Sequence, residues 1–234
     1  LLAARLPTCA IAMVSLEQDG YQICRGVLDL PQVRALRAVA DHIAAEAGNA
    51  CVRNLRSRSA EMEALADCEA LRSLLPSALI PVRSILFDKR EGANWPVAWH
   101  RDRTICVAEK PSDPIAGYGA WSVKDGMPHV QAPVELLREM VTLRIHLDTA
   151  DTANGALNVI PQSHRWEVAV SDGSSEVEEA SSVICECSAG DVLAMSPLIQ
   201  HSSPRSQRNT RRRVLHFEYA PVAALHPALR WGER

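Results

Sequence analysis

Aromatic residues are scarce in this chain, at 4 % of 234 positions. That is too few for a platform that stacks single-stranded bases. No apolar run approaches the ~20 residues that a membrane-crossing helix requires. An excess of one charge is also missing: the net charge is −3 and the pI about 6.3. Global electrostatics therefore makes no case for nucleic acid or an anionic membrane as partner. There is no Gly-x-Ser-x-Gly and no Walker-type loop, so serine hydrolase and P-loop readings lack support. The seven cysteines are odd in number and scattered, unlike a disulfide framework. They fit a reducing compartment, and we expect a cytoplasmic protein. Cys185 and Cys187 form a C-x-C pair without further soft ligands close by, and read as reduced strand cysteines.

Hydrophobic residues make up 47 % and charged residues 23 %, the balance of a globular domain. We expect one domain over residues 13–222, with a helical part at 29–76 and a β core at 79–220. Residues 1–12 lack the basic start and long apolar centre of a secretory signal and are set aside as an extension before Met13. Asp29, Pro31 and the apolar series Val33, Leu36, Val39, Ala40, Ile43, Ala44 and Ala47 predict a capped helix ended by Gly48. Shorter helices are expected at Ala60–Ala66, Cys68–Leu75 and near Val134–Met140. Strands are expected at Ile80–Asp88, Val97–Val107, Val141–Leu147, Ala156–Ile160, Val183–Cys187, Asp191–Met195 and Arg213–Tyr219. Many short strands after a helical preface predict a β-sandwich or barrel with helices outside. Ser171–Ser182 reads as an exposed loop.

Chemistry enters with Trp99-His100-Arg101-Asp102. On one strand, His100 and Asp102 share a face. His201 follows an apolar strand, and Arg212 stands eleven residues further on. Two histidines and one carboxylate can form a facial triad that leaves open positions on non-haem Fe(II). Arg212 can grip a carboxylate through a two-pronged fork. The arginines at 205, 208, 211, 212 and 213 otherwise read as a solvated loop plus one buried Arg. His146 and His216 lie on expected strands, where an interior His with satisfied nitrogens is usual; the alternative for His216, which alternates with Val214 and Glu218, is that it faces the cavity.

The order and spacing of these residues resemble the phytanoyl-CoA dioxygenase family. Phe87-Asp88-Lys89 before Asn94-Trp95, Asn154-Gly155-Ala156-Leu157, and Pro161-Gln162-Ser163-His164-Arg165 carry the likeness further. Trp121–Gln131 is similar to a segment of short bacterial members. The resemblance implies a mainly β fold with flanking helices around a double-stranded β-helix, a cupin-like jelly roll. It implies iron(II), 2-oxoglutarate and O₂, with His100, Asp102 and His201 as catalytic metal ligands. Arg212 would pair with the distal carboxylate of 2-oxoglutarate and Ser203 would support it. Arg144 falls where some relatives place a cosubstrate-contacting Trp, and Lys89 is a further cosubstrate candidate. Trp99, Trp121, Lys124, His129 and Gln131 are candidates for the substrate mouth, with Trp121–Gln131 either a lid or a structural β-connection. Gln162 stands where the family has Gly, which asks a bulkier residue to adopt that turn. The expected activity is oxidation of a small-molecule substrate with release of succinate and CO₂. The alternatives are a metal-binding jelly roll acting as isomerase or sensor, and a binding module without metal.

Overall fold

A computed structural model describes residues 15–76, 78–167 and 181–233. The expected extension at 1–12 and most of the expected loop at Ser171–Ser182 lie outside them. The first helix, α1, runs Leu30–Ala47. Asp29 accepts from the Gln32 amide while the Gln32 side chain accepts from the Asp29 amide, a reciprocal capping box. Gly48, at φ 60°, closes the helix in the left-handed conformation that glycine tolerates. Three short helices follow, α2 (Leu55–Arg58), α3 (Ala60–Ala66) and α4 (Glu69–Arg72). The last is shorter than expected.

Thirteen strands among the described residues make three sheets. The largest has six strands. In spatial order they are β1 (Tyr21–Cys24), β11 (Val192–Met195), β8 (Val141–His146), β13 (Arg212–Pro221), β3 (Leu79–Lys89) and β2 (Cys51–Arg53). Facing it is a four-stranded sheet ordered β10 (Val183–Cys185), β9 (Leu157–Val159), β12 (His201–Ser203) and β4 (Val97–His100). This is a double-stranded β-helix with helices packed outside. The third sheet is β5 (Thr104–Cys106), β7 (Met127–Gln131) and β6 (Gly119–Lys124).

Strand alternation decides where polarity goes. On β13, Leu215, Phe217 and Tyr219 join Val33, Leu36, Ala40 and Ile43 of α1 in the outer core. Arg212 and His216 face the other way and line a cavity. On β3, Leu86 joins the outer core while Arg83, Ile85, Phe87 and Lys89 line the cavity. Both faces of these strands are buried, and the inner one carries the charges.

The expected single strand Val97–Val107 is broken. Its first part belongs to the four-stranded sheet and its second to the three-stranded one, with Arg101–Arg103 bending between them. Arg101 fixes the bend, donating from Nε to Leu198 O at 2.9 Å and from Nη2 to Ser163 O at 3.1 Å. The segment Trp121–Gln131 is a β-hairpin turned at Asp125-Gly126, both at positive φ, as a two-residue hairpin loop requires. Gln162 adopts φ 66°, the strained turn that its replacement of Gly anticipates. No helix among the described residues is long and apolar enough to cross a membrane.

Candidate metal centre and cosubstrate cavity

His201 on β12 pairs directly with His100 on β4. The antiparallel pairing brings two imidazoles about a hundred positions apart to a ring-centroid distance of 4.2 Å. Asp102 lies past the end of β4, so strand alternation does not place it beside His100. The bend does, with the Asp102 amide donating to Pro197 O at 2.9 Å. Its carboxylate sits 3.7 Å from His100 Nε2 and 3.6 Å from His201 Nε2. One ligand atom from each of the three lies within 4.8 Å of the others.

Both imidazoles are prepared as ligands. His100 Nδ1 stands 2.8 Å from Ala98 O and His201 Nδ1 2.9 Å from Ile199 O. A carbonyl only accepts, so each Nδ1 carries the proton and each Nε2 offers its lone pair toward Asp102. Burial pulls His201 down to about 4, which keeps it neutral. Burial pushes Asp102 up, but His201, His100 and His216 override it and hold the carboxyl well below its usual range. His201 is 2 % exposed and His100 37 %, so the site opens on the His100 side.

Asp102 also lies near His216 and Glu218, but the nitrogens of that second group are committed. Arg144 Nη1 is 3.0 Å from His216 Nδ1, and arginine only donates, so Nδ1 accepts. His216 Nε2 then donates to Glu218 Oε1 at 3.1 Å, and Arg83 pairs with the same carboxylate. His100, Asp102 and His201 form the set with free lone pairs, and they fit an octahedral ion that keeps open positions.

The same cavity, about 160 Å³, is lined by Lys89, Arg144, Ser203 and Arg212. Ser203 Oγ is a hub. It donates to Gly155 O at 2.9 Å and accepts from Lys89 Nζ at 2.8 Å and Arg212 Nη2 at 3.2 Å. One donor and two acceptor lone pairs are thereby used. Arg212 is 4 % exposed and its Nε has no partner. No carboxylate pairs with Lys89, Arg144 or Arg212 among the described residues. Burial, then Arg212, Arg144 and Arg205, lower Lys89 to about 7.

The basic run divides by strand alternation. Arg212 turns into the cavity, while Arg213 turns outward to Asp148 at 2.8 Å and Asp41 at 2.8 Å. Two buried arginines stand where one was expected, at 4 % and 9 % exposure. His146 departs from the expected satisfied interior His, since neither ring nitrogen has a partner. The candidates Trp99, Trp121, Lys124, His129 and Gln131 are outside the cavity lining. Trp121 packs on the core of the three-stranded sheet, and His129 Nδ1 turns back to Met127 O at 3.0 Å. Sequence reasoning missed Arg83 and Glu218. Alternation along Arg83, Ile85, Phe87 and Lys89 was the available signal for the first.

Gly155 supports the hub from below. At φ 78°, a Cβ added there would meet Pro204 O at 2.4 Å, and Pro204 O also accepts from Lys89 Nζ at 3.0 Å. Gly155→Ala is expected to cost about 1–3 kcal/mol through backbone strain and displacement of Pro204. Denaturant unfolding checks this, and an unchanged midpoint would show that the turn relaxes freely.

A double-stranded β-helix whose inner face joins two histidines and one aspartate defines the class of Fe(II)/2-oxoglutarate-dependent proteins with a facial-triad-like metal site. The family model for phytanoyl-CoA dioxygenase (PhyH) matches residues 16–214, and the chain belongs to that family. Solved structures share the fold. The non-heme alpha-ketoglutarate-dependent epimerase SnoN from nogalamycin biosynthesis is 19 % identical, with TM-score 0.69 over 92 % of this chain and 81 % of its own. AviO1 from Streptomyces viridochromogenes Tue57 is 24 % identical, with TM-score 0.66 over 96 % and 99 %. HygX from Streptomyces hygroscopicus, with nickel and 2-oxoglutarate bound, is 13 % identical, with TM-score 0.67 over 94 % and 88 %. No curated protein matches the chain.

Proposed function

We propose that the chain is a non-haem Fe(II)- and 2-oxoglutarate-dependent dioxygenase. It oxidises an unactivated C–H of a small-molecule substrate, by hydroxylation in the first instance, and releases succinate and CO₂. The observation that carries this reading is Arg212, a buried guanidinium with no carboxylate beside it, in the cavity that the triad lines. A buried cation left unpaired is costly, and a carboxylate supplied by a ligand removes that cost. A metal-binding jelly roll acting as isomerase or sensor needs no such cation.

In this reading His100, Asp102 and His201 hold the iron. Lys89 and Arg212, joined through Ser203, hold the distal carboxylate of 2-oxoglutarate. Bound iron and 2-oxoglutarate supply the oxidising chemistry with O₂, and the protein supplies orientation and exclusion of water. Asp102 would supply the carboxylate ligand of the triad, which favours oxidation over halogenation. Phe87, Ile85 and Leu157 give the cavity apolar walls.

The experiment supplies Fe(II), 2-oxoglutarate and O₂ with a panel of candidate small molecules and measures succinate against product mass. Succinate formed in step with a product that gains one oxygen is the expected result. SnoN is an epimerase by name, so products of unchanged mass are resolved by chromatography too. Absence of succinate from iron-loaded, folded protein across the panel, with no uncoupled background, would leave a non-oxidising metal protein as the answer.

A further inference from the structure

Arg144 is a second buried cation with no carboxylate in contact with it among the described residues. It is 7 % exposed and its Nε has no partner. Its guanidinium lies 5.4 Å from the centroid of the Phe87 ring and donates to His216 Nδ1 at 3.0 Å. Neither contact neutralises it, because a ring face and a neutral imidazole carry no negative charge.

Its depth in the cavity differs from that of the Ser203 hub. Arg144 pairs with His216, whereas Arg212 opens the same strand opposite Lys89. Four residues separate the two levels, roughly 13 Å between Cα atoms at about 3.3 Å per residue. A ring nitrogen of His216, the partner of Arg144, lies within 4.8 Å of a carboxylate oxygen of Asp102 in the triad. Arg144 thus lies at the triad end of the cavity whose other end is lined by Lys89, Ser203 and Arg212.

Its orientation is also fixed. His216 Nε2 is committed to Glu218, which pairs with Arg83, and Arg83 Nη1 donates to Thr104 O at 2.8 Å. With its proton held at Nε2, His216 can only accept at Nδ1, and that acceptor steers Arg144. Thr104 opens β5 in the third sheet, so the brace is anchored outside the six-stranded sheet.

We propose that Arg144 is a second carboxylate clamp, braced by His216, Glu218 and Arg83, and that it grips the carboxylate at the 2-oxo end of the cosubstrate. This rests on the cosubstrate assignment above. 2-Oxoglutarate has two carboxylates, and the hub at Arg212 serves the distal one. The other accompanies the keto group to the triad. Were a metal held by the triad to take that end of the molecule, an oxygen of this carboxylate would still be able to accept from a guanidinium N–H. The two clamps then read the two ends of one molecule.

The test uses two ligands, 2-oxoglutarate and 2-oxopentanoate, which keeps the 2-oxo carboxylate and lacks the distal one. Each is titrated into anaerobic Fe(II) protein of verified metal content, following the metal-to-ligand absorption band. Arg144→Met is expected to weaken both ligands by a similar factor, about tenfold or more. Arg212→Ala should weaken 2-oxoglutarate and leave 2-oxopentanoate within about twofold. His216→Phe, which removes the brace, should show the two-ligand pattern with a smaller factor. It should add little to Arg144→Met in the double variant, because it acts through Arg144. Arg144→Met binding 2-oxopentanoate within about twofold of wild type, or a loss confined to 2-oxoglutarate, overturns the clamp. Additive effects of Arg144→Met and His216→Phe overturn the brace. Should Arg144→Met fail to fold, Arg144→Gln keeps a donor for His216 and is judged by the same outcomes. A wild-type protein that gives no band with 2-oxoglutarate defeats the cosubstrate assignment itself, whereas a normal wild-type band with an unaffected Arg144 variant defeats the clamp alone.

Discussion

His201→Ala is expected to abolish Fe(II) binding and all turnover. His201 is the most buried of the three converging residues, and burial keeps its imidazole neutral, with a pKa of about 4. Its Nδ1–H is held by Ile199 O, which aims the Nε2 lone pair at the space shared with His100 and Asp102. Losing an outer partner of a metal ligand costs about 10–100-fold in metal affinity or activity, so losing the ligand itself costs more. His100→Ala should act in the same direction, with less disturbance of packing because its side chain is partly exposed. Metal analysis of the purified variants, with thermal unfolding to confirm that they fold, decides the matter. Wild-type iron content in a folded His201→Ala protein would remove this site from consideration.

Arg212→Ala separates a cosubstrate cavity from a generic metal site. It should leave iron content unchanged and weaken 2-oxoglutarate. Truncating one side of a buried charged pair costs about 2–5 kcal/mol. At 1.4 kcal/mol per decade the dissociation constant rises about 30-fold or more. Arg212→Lys should recover part of the loss, since an ammonium cannot reproduce the fork. Lys89 adds a pH signature. Burial and the neighbouring guanidiniums lower it to about 7 in the free protein. A carboxylate arriving beside it favours the charged form and raises that pKa. Binding is therefore strongest below pH 7 and weakens as pH rises through the free value, with uptake of a proton. Calorimetry in buffers of different ionisation enthalpy reads that proton directly. In Arg212→Ala one cause of the depression is gone, so the weakening should begin at higher pH. Affinity independent of pH between 6 and 8 would exclude Lys89 from the carboxylate site.

The sequence by itself determined what depends on neighbours along the chain. The cap at Asp29, the apolar face of α1 and the terminating Gly48 are local signals, and the helix ends where they say. The His100-x-Asp102 spacing, with His201 and then Arg212 eleven residues later, singles out the residues that meet around the cavity. The family likeness was legible there because the order of motifs along a chain survives at low identity. Tertiary structure decided the rest. The break at Arg101–Arg103 depends on carbonyls at Leu198 and Ser163, far away in the chain. The Ser203 hub joins positions 114 residues apart, and the Arg83–Glu218 pair joins positions 135 apart. Such contacts are set by strand register. A shift of one residue between β3 and β13 would turn one strand's cavity-facing side chains to the other face. Hydrophobic periodicity marks which face is inward, but it does not say which inward-facing charge will stand beside which. The sheet pairing settles that, because only the assembled barrel makes an unpaired buried cation costly enough to require a partner.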